Sequence, residues 1–88
     1  MTMEKDICVL QFDKEKGYSH VVSDSLNINL KRIPRVGEYL VYGEKENCYI
    51  SKVVEVHYSA DGGADVFIGD KKSYYSYKKA LDDRLANL

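Results

Sequence analysis

Apolar residues recur at strand spacing along most of this chain and at helix spacing only at its end. From Ile7 to Phe12 every residue except Gln11 is apolar, and Asp13-Lys14-Glu15-Lys16-Gly17 then brings charge and a glycine before Tyr18 to Ser23. That pattern predicts a β-hairpin with a five-residue loop. Leu26, Ile28 and Leu30 alternate with Asn27, Asn29 and Lys31, the period of two that marks a strand with one buried and one wet face, and the clearest strand signal in the chain. Pro34 ends it, because proline has no N–H to give to a ladder. Gly37 allows a tight connection before Tyr39 to Tyr42 resumes an extended pattern, and Gly43 to Asn47 forms the next loop.

Cys48 to Tyr58 is the longest β-type stretch, and the adjacent polar residues Ser51 and Lys52 predict a bulge or bend within it. Ser59-Ala60-Asp61-Gly62-Gly63 is a turn signal with Ala64 to Ile68 as its partner strand, so residues 48–68 should form a bent hairpin. After Asp70 the period changes. Tyr74, Tyr77, Leu81, Leu85 and Leu88 fall on one helical stripe, with Ser73 as the N-cap. The expected fold is α+β and mainly β: five to six short strands in a small bent antiparallel sheet or barrel over about 6–69, then an amphipathic helix over about 73–87. Closure would remove the exposed edges that a flat sheet presents.

A chain of 88 residues is one domain, 1–88, with room for one core and little apolar surface to spare for a deep pocket. Thirteen basic against fourteen acidic side chains exclude a general polyanion binder and leave only local basic patches for nucleic acid. Met1 to Leu10 carries Glu4 and Asp6 and only four consecutive apolar residues, too few for the core of a signal peptide, and no segment reaches membrane-spanning length. The expected location is therefore cytoplasmic, away from membranes, with Cys8 and Cys48 as reduced thiols, each a small buried hydrophobe among apolar residues.

The order Cys8, His20, Cys48, His57 contains no short-spaced Cys or His pair of the kind that brings metal ligands together, so no metal is expected. A nucleophilic site could in principle join Cys48, His57 and Asp61, but no nucleophile elbow and no phosphate-cradling glycine loop accompanies them. Glu44/Glu46 and Asp82/Asp83 read as solvated surface. The expectation is a protein without catalytic residues or cofactor. Eight tyrosines beside two phenylalanines and no tryptophan are the compositional oddity. Those in predicted strands are explained by half-burial. Tyr75 is not: with Tyr74 and Tyr77 facing the core it points away from them, sharing its face with Lys72 and Lys79. An exposed ring flanked by lysines suits an acidic protein, a phosphate or a stacked base. Against that, Lys78 with Asp82 and Lys79 with Asp83 are i,i+4 pairs that could neutralise the lysines. Lys31, Arg32 and Arg35 around Pro34 form a second basic cluster, either a binding patch or a charged sheet edge that blocks aggregation.

Ile33-Pro34-Arg35-Val36-Gly37-Glu38-Tyr39-Leu40, followed by Tyr49-Ile50-Ser51-Lys52-Val53-Val54-Glu55-Val56-His57, resembles a turn-and-strand pattern of small uncharacterised SH3-like β-barrel proteins of bacteria and phages. The likeness spans roughly residues 26–68 and departs from that pattern at Ser51, where an apolar residue is usual. It implies an SH3-like barrel and a phage or mobile-element origin, and no reaction. The function expected on all these grounds is that of a small accessory or inhibitory protein binding a larger protein partner. Nucleic-acid binding through the basic and tyrosine patches is the alternative, and a homodimer through an open sheet edge would add burial to a short chain.

Overall fold

The structure, a computed structural model, describes residues 7–88; residue 6, where the sheet was expected to start, and Glu4 lie outside that range. Six strands precede one helix: β1 Ile7–Asp13, β2 Tyr18–Val21, β3 Tyr39–Glu44, β4 Asn47–Tyr58, β5 Ala64–Ile68, β6 Lys72–Ser73 and α1 Tyr74–Ala86. The sheet order is β2-β1-β5-β4-β3, with β6 also paired to β4. The mainly β fold with a C-terminal helix is as expected; the details of closure and pairing are not. β1 lies parallel to β5, Val9 opposite Val66, so the sheet is mixed. Its ends, β2 and β3, are not joined, and the sheet does not close into a barrel.

The reason lies in residues 22–38, which hold no strand. The Leu26 amide donates to the Val22 carbonyl and the Ile28 amide to that of Ser23, while Asn27 sits at φ +52. This is one helical turn stopped by a left-handed residue, a role asparagine fills well. Ser23, Asp24 and Ser25 ahead of it favour such a turn. Leu26, Ile28, Leu30 and Ile33 still face inward and pack on the core. Alternation thus predicted which side chains point in, and not that the backbone would find a ladder. The segment that could have completed a barrel covers one face of the sheet instead.

That face holds the core: Val9, Val22, Leu40, Tyr42, Val53, Val66 and Ile68, all buried. Strict alternation in β3 and β5 sends Leu40 and Tyr42, then Ala64, Val66 and Ile68, to this side. In β4 the inward row is Tyr49, Ser51 and Val53, and the irregularity falls between Val53 and Glu55, not at Ser51–Lys52. Ser51 keeps its inward place because its hydroxyl, in a residue only 2 % exposed, lies 2.9 Å from the Tyr42 hydroxyl. With that polar group satisfied, the strand can run on to Val54 before an extra residue restores Val56 to the core side.

On the reverse face Ile50 is buried, although its neighbours along the strand, Tyr49 and Ser51, point to the main core. Its cover is α1, which packs on β4 and β6 and sets the Tyr77 ring 5.7 Å from that of Tyr39. Ser73 caps the helix as expected, its Oγ accepting from the Ser76 amide. Tyr74, Tyr77 and Leu81 are half-buried, but the expected stripe stops there: Leu85 and Leu88 stand in solvent and no helix residue is fully buried.

Two local predictions follow from this packing. Tyr42→Phe strands the Ser51 hydroxyl and should cost about 1–3 kcal/mol, whereas Tyr42→Phe with Ser51→Ala should regain most of that loss; thermal melts of the two variants decide it. Gly43 sits at φ +99, and a Cβ there would overlap the Asn47 carbonyl oxygen across the β3–β4 hairpin. Gly43→Ala should therefore destabilise by on the order of 2 kcal/mol or more, read from a denaturant midpoint at unchanged slope.

Candidate functional site

The turn after Pro34 is built by Glu38. Gly37, at φ +94, takes the third place of a turn closed by the Glu38 amide donating to the Arg35 carbonyl. The Glu38 carboxylate returns to accept from the Arg35 amide at 2.6 Å and from both Arg32 guanidinium nitrogens at 3.3–3.4 Å. The Arg35 amide first, and the Arg32 guanidinium second, hold the Glu38 carboxyl below the usual glutamate range. The next residues dock on β4: the Gly37 amide donates to the Val53 carbonyl and the Val53 amide to that of Glu38. Of the predicted cluster Lys31, Arg32 and Arg35, one guanidinium is thus held by an internal carboxylate. The cluster sits in an irregular connection and not on a strand, which corrects the alternative of a charged sheet edge.

The second predicted group divides. Tyr75 is 86 % exposed and shares a shallow hollow of about 430 Å³ on the outer side of α1 with Tyr74, Lys78, Lys79 and Asp82. Lys72 is not with them. It lies in β6, before the helix begins, and lines a hollow of about 230 Å³ at the helix–sheet junction with Tyr39, Ile50, Lys52, Gly69, Asp70 and Tyr77. The expected neutralising pairs of Lys78 with Asp82 and Lys79 with Asp83 are not formed among the described residues, whose ion pairs are Arg32–Glu38 and His57–Glu55. Sequence reasoning missed two residues here. Lys78 joins the Tyr75 hollow, and Lys71 places its ammonium 4.4 Å from the centre of the Tyr49 ring. Helical spacing in Tyr74–Lys78 carried the first signal; nothing in sequence pairs Lys71 with Tyr49.

The residues tested for chemistry lie apart. Cys48 and His57 stand nine positions apart along β4, a separation of roughly 30 Å if the strand were straight. His57 hydrogen-bonds Glu55 at 3.0 Å and packs on the Phe67 ring, and the Asp61 carboxylate accepts from the Gly63 amide in the β4–β5 turn. Both cysteines are free thiols. Burial pushes the Cys8 thiol up, as does the carboxylate of Asp65 opposite it, with Asp24 adding to the rise and a Ser23 hydrogen bond opposing it. A thiol so placed is a poor nucleophile. Among the described residues no three His, Cys, Asp or Glu side chains are grouped to hold a metal, and no helix is long and apolar enough to cross a membrane.

No family model, curated protein or solved structure matches the chain. Its own geometry must carry any functional reading. That geometry offers a ring and two ammonium groups on an exposed helix face, and a second pair of lysines beside two tyrosines where the helix meets the sheet.

The Glu38 arrangement is checked by following its carboxyl carbon against pH. Its midpoint should lie below that of an ordinary glutamate, and Arg32→Gln should raise it only in part, because the Arg35 amide remains. A group depressed on folding stabilises above its unfolded pKa, so this contribution should fade as the pH falls through the lowered folded value.

Proposed function

We propose that this chain is a non-catalytic accessory protein that binds a larger protein partner through the outer face of α1. The observation that carries the reading is Tyr75, whose ring stands in solvent between Lys78 and Lys79 on a helix with no fully buried residue. Tyrosine is enriched in the buried centres of interfaces and among the residues that carry their binding energy, and lysines suit the polar rim around such a ring. The helix is a rigid, capped element, so presenting these groups costs little ordering on binding. An acidic protein surface complements Lys78 and Lys79, and Asp82 at the rim would set the register.

A second reading, nucleic-acid binding, is favoured by the junction hollow, where Lys52 and Lys72 meet Tyr39 and Tyr77. Lysines supply phosphate contacts and tyrosines stacking in such surfaces. Kinship with small SH3-like proteins of bacteria and phages belongs to the same proposal. What supports it is that residues 39–68, which carry most of the resemblance, form an uninterrupted β3-β4-β5 meander with a bent middle strand, the unit from which small barrels are built.

The readings separate by photo-crosslinking in the host cell with a benzophenone amino acid in place of Tyr75, and of exposed Glu46 as control. A protease-sensitive adduct specific to position 75 is expected. Equal labelling at both positions would overturn it, and the second reading would instead give a nuclease-sensitive adduct with the same amino acid in place of Lys52 in the junction hollow. In vitro, log affinity falling steeply with log salt would mark phosphate contacts, and a shallow slope a protein interface.

A further inference from the structure

The run Ile7 to Phe12 is apolar at nearly every position, the signature of a strand buried on both faces. Among the described residues β1 is covered on one. Val9 faces the core, whereas Leu10 and Phe12 point to the reverse side. There Val21 of β2 stands beside Leu10, and Phe67 of β5 flanks it on the other side. Phe12 is 47 % and Val21 49 % exposed. α1 lies on the same side of the sheet but over β4 and β6, so that among the described residues no element lies over this apolar row across β2, β1 and β5, in which Leu10 and Phe67 are half-buried.

The helix has the opposite surplus. Its stripe runs past its own sheet, so that Leu85 and Leu88, 54 % and 97 % exposed, continue the line of Tyr77 and Leu81 with nothing beneath them. The charges match as well. Helix geometry puts Lys78 and Arg84 on either side of the Leu81–Leu85 stripe at ~100° per residue. On the sheet the exposed carboxylates of Asp65, opposite Cys8, and Glu55, opposite Phe67 and hydrogen-bonded to His57, flank the apolar row.

We propose that the chain pairs with a second copy of itself, the C-terminal half of α1 of each copy lying across the uncovered β2-β1-β5 face of the other. Each copy supplies one stripe and one patch, so a two-fold axis satisfies both at once and the assembly closes as a dimer. This is a face-to-helix contact and not the edge-to-edge pairing expected from the sequence. The free edge of β2 is only four residues long, too short for a stable ladder by itself. Tyr75 and Lys79 point roughly 120–160° around the helix from Leu81 and stay free for an external partner, whereas Lys78 lies on the border between the two surfaces.

Sedimentation equilibrium of the full chain should report two chains per particle at concentrations up to about 200 µM, with Leu85→Glu and Leu88→Glu together weakening the association by about tenfold or more. Both positions are solvent-exposed in the monomer, and unchanged far-UV dichroism would show that the variant folds. In mixed labelled and unlabelled samples, isotope-filtered NOEs should connect the Leu85 and Leu88 methyls of one copy to Phe12, Phe67 and Val21 of the other. A monomer across the range would overturn the proposal. So would a dimer that survives the double variant with contacts along β2 or β3 edges, or intrachain NOEs from Met1 and Met3 to the same patch.

Discussion

Strand β4 is hydrogen-bonded along nearly its whole length, and the rest of the fold takes its position from that fact. Its first half pairs with β3 on one edge and β6 on the other, and its second half with β5. At the changeover, Val53 also takes both hydrogen bonds of the turn at Gly37 and Glu38. A twelve-residue strand paired this way cannot stay flat, because the twist accumulates and the extra residue near Val54 bends it further. The bend lets one strand serve two parts of the sheet. It also divides the reverse face into a half covered by α1 and a half that is not.

The inward row of β4 contains one polar residue, and the core accepts it only through Tyr42. Burial pushes the Tyr42 hydroxyl up in pKa, with the Ser51 bond partly opposing that shift, so the pair stays neutral and mutually satisfied well past physiological pH. Tyr42 and Tyr49 pack with ring centres 5.9 Å apart on the same side. The tyrosine excess therefore has two sources. Some rings fill a small core where a hydroxyl has a partner, and others, Tyr75 above all, stand outside it in solvent.

The functional proposal rests on how unevenly the surface is covered. The groups weighed for a catalytic or metal site are divided among β1, β2, β4 and the β4–β5 turn, and the basic groups near Pro34 are partly committed to holding a turn. What remains unspent is on α1 and on the β2-β1-β5 face. Those surfaces account for the reading of the chain as a binding protein whose helix offers one side to an external partner and the other to a second copy.

The sequence by itself determined whatever depends on near neighbours: the first hairpin with its Asp13 and Gly17 turn, the Gly62 turn between β4 and β5, the Ser73 cap and the helix it begins, and the inward side of Leu26, Ile28 and Leu30. These follow from backbone preference and from the side each residue shows to the core. Tertiary structure decided the pairings. Whether residues 26–30 became a strand depended on Asn27 taking a left-handed angle, and whether β1 ran parallel to β5 depended on which edge was free once β4 was bent. The fate of the basic cluster was likewise not legible, because Glu38 captures Arg32 only after Gly37 has turned the chain back. Composition and periodicity record each residue's environment. They do not record which distant backbone or side chain supplies it.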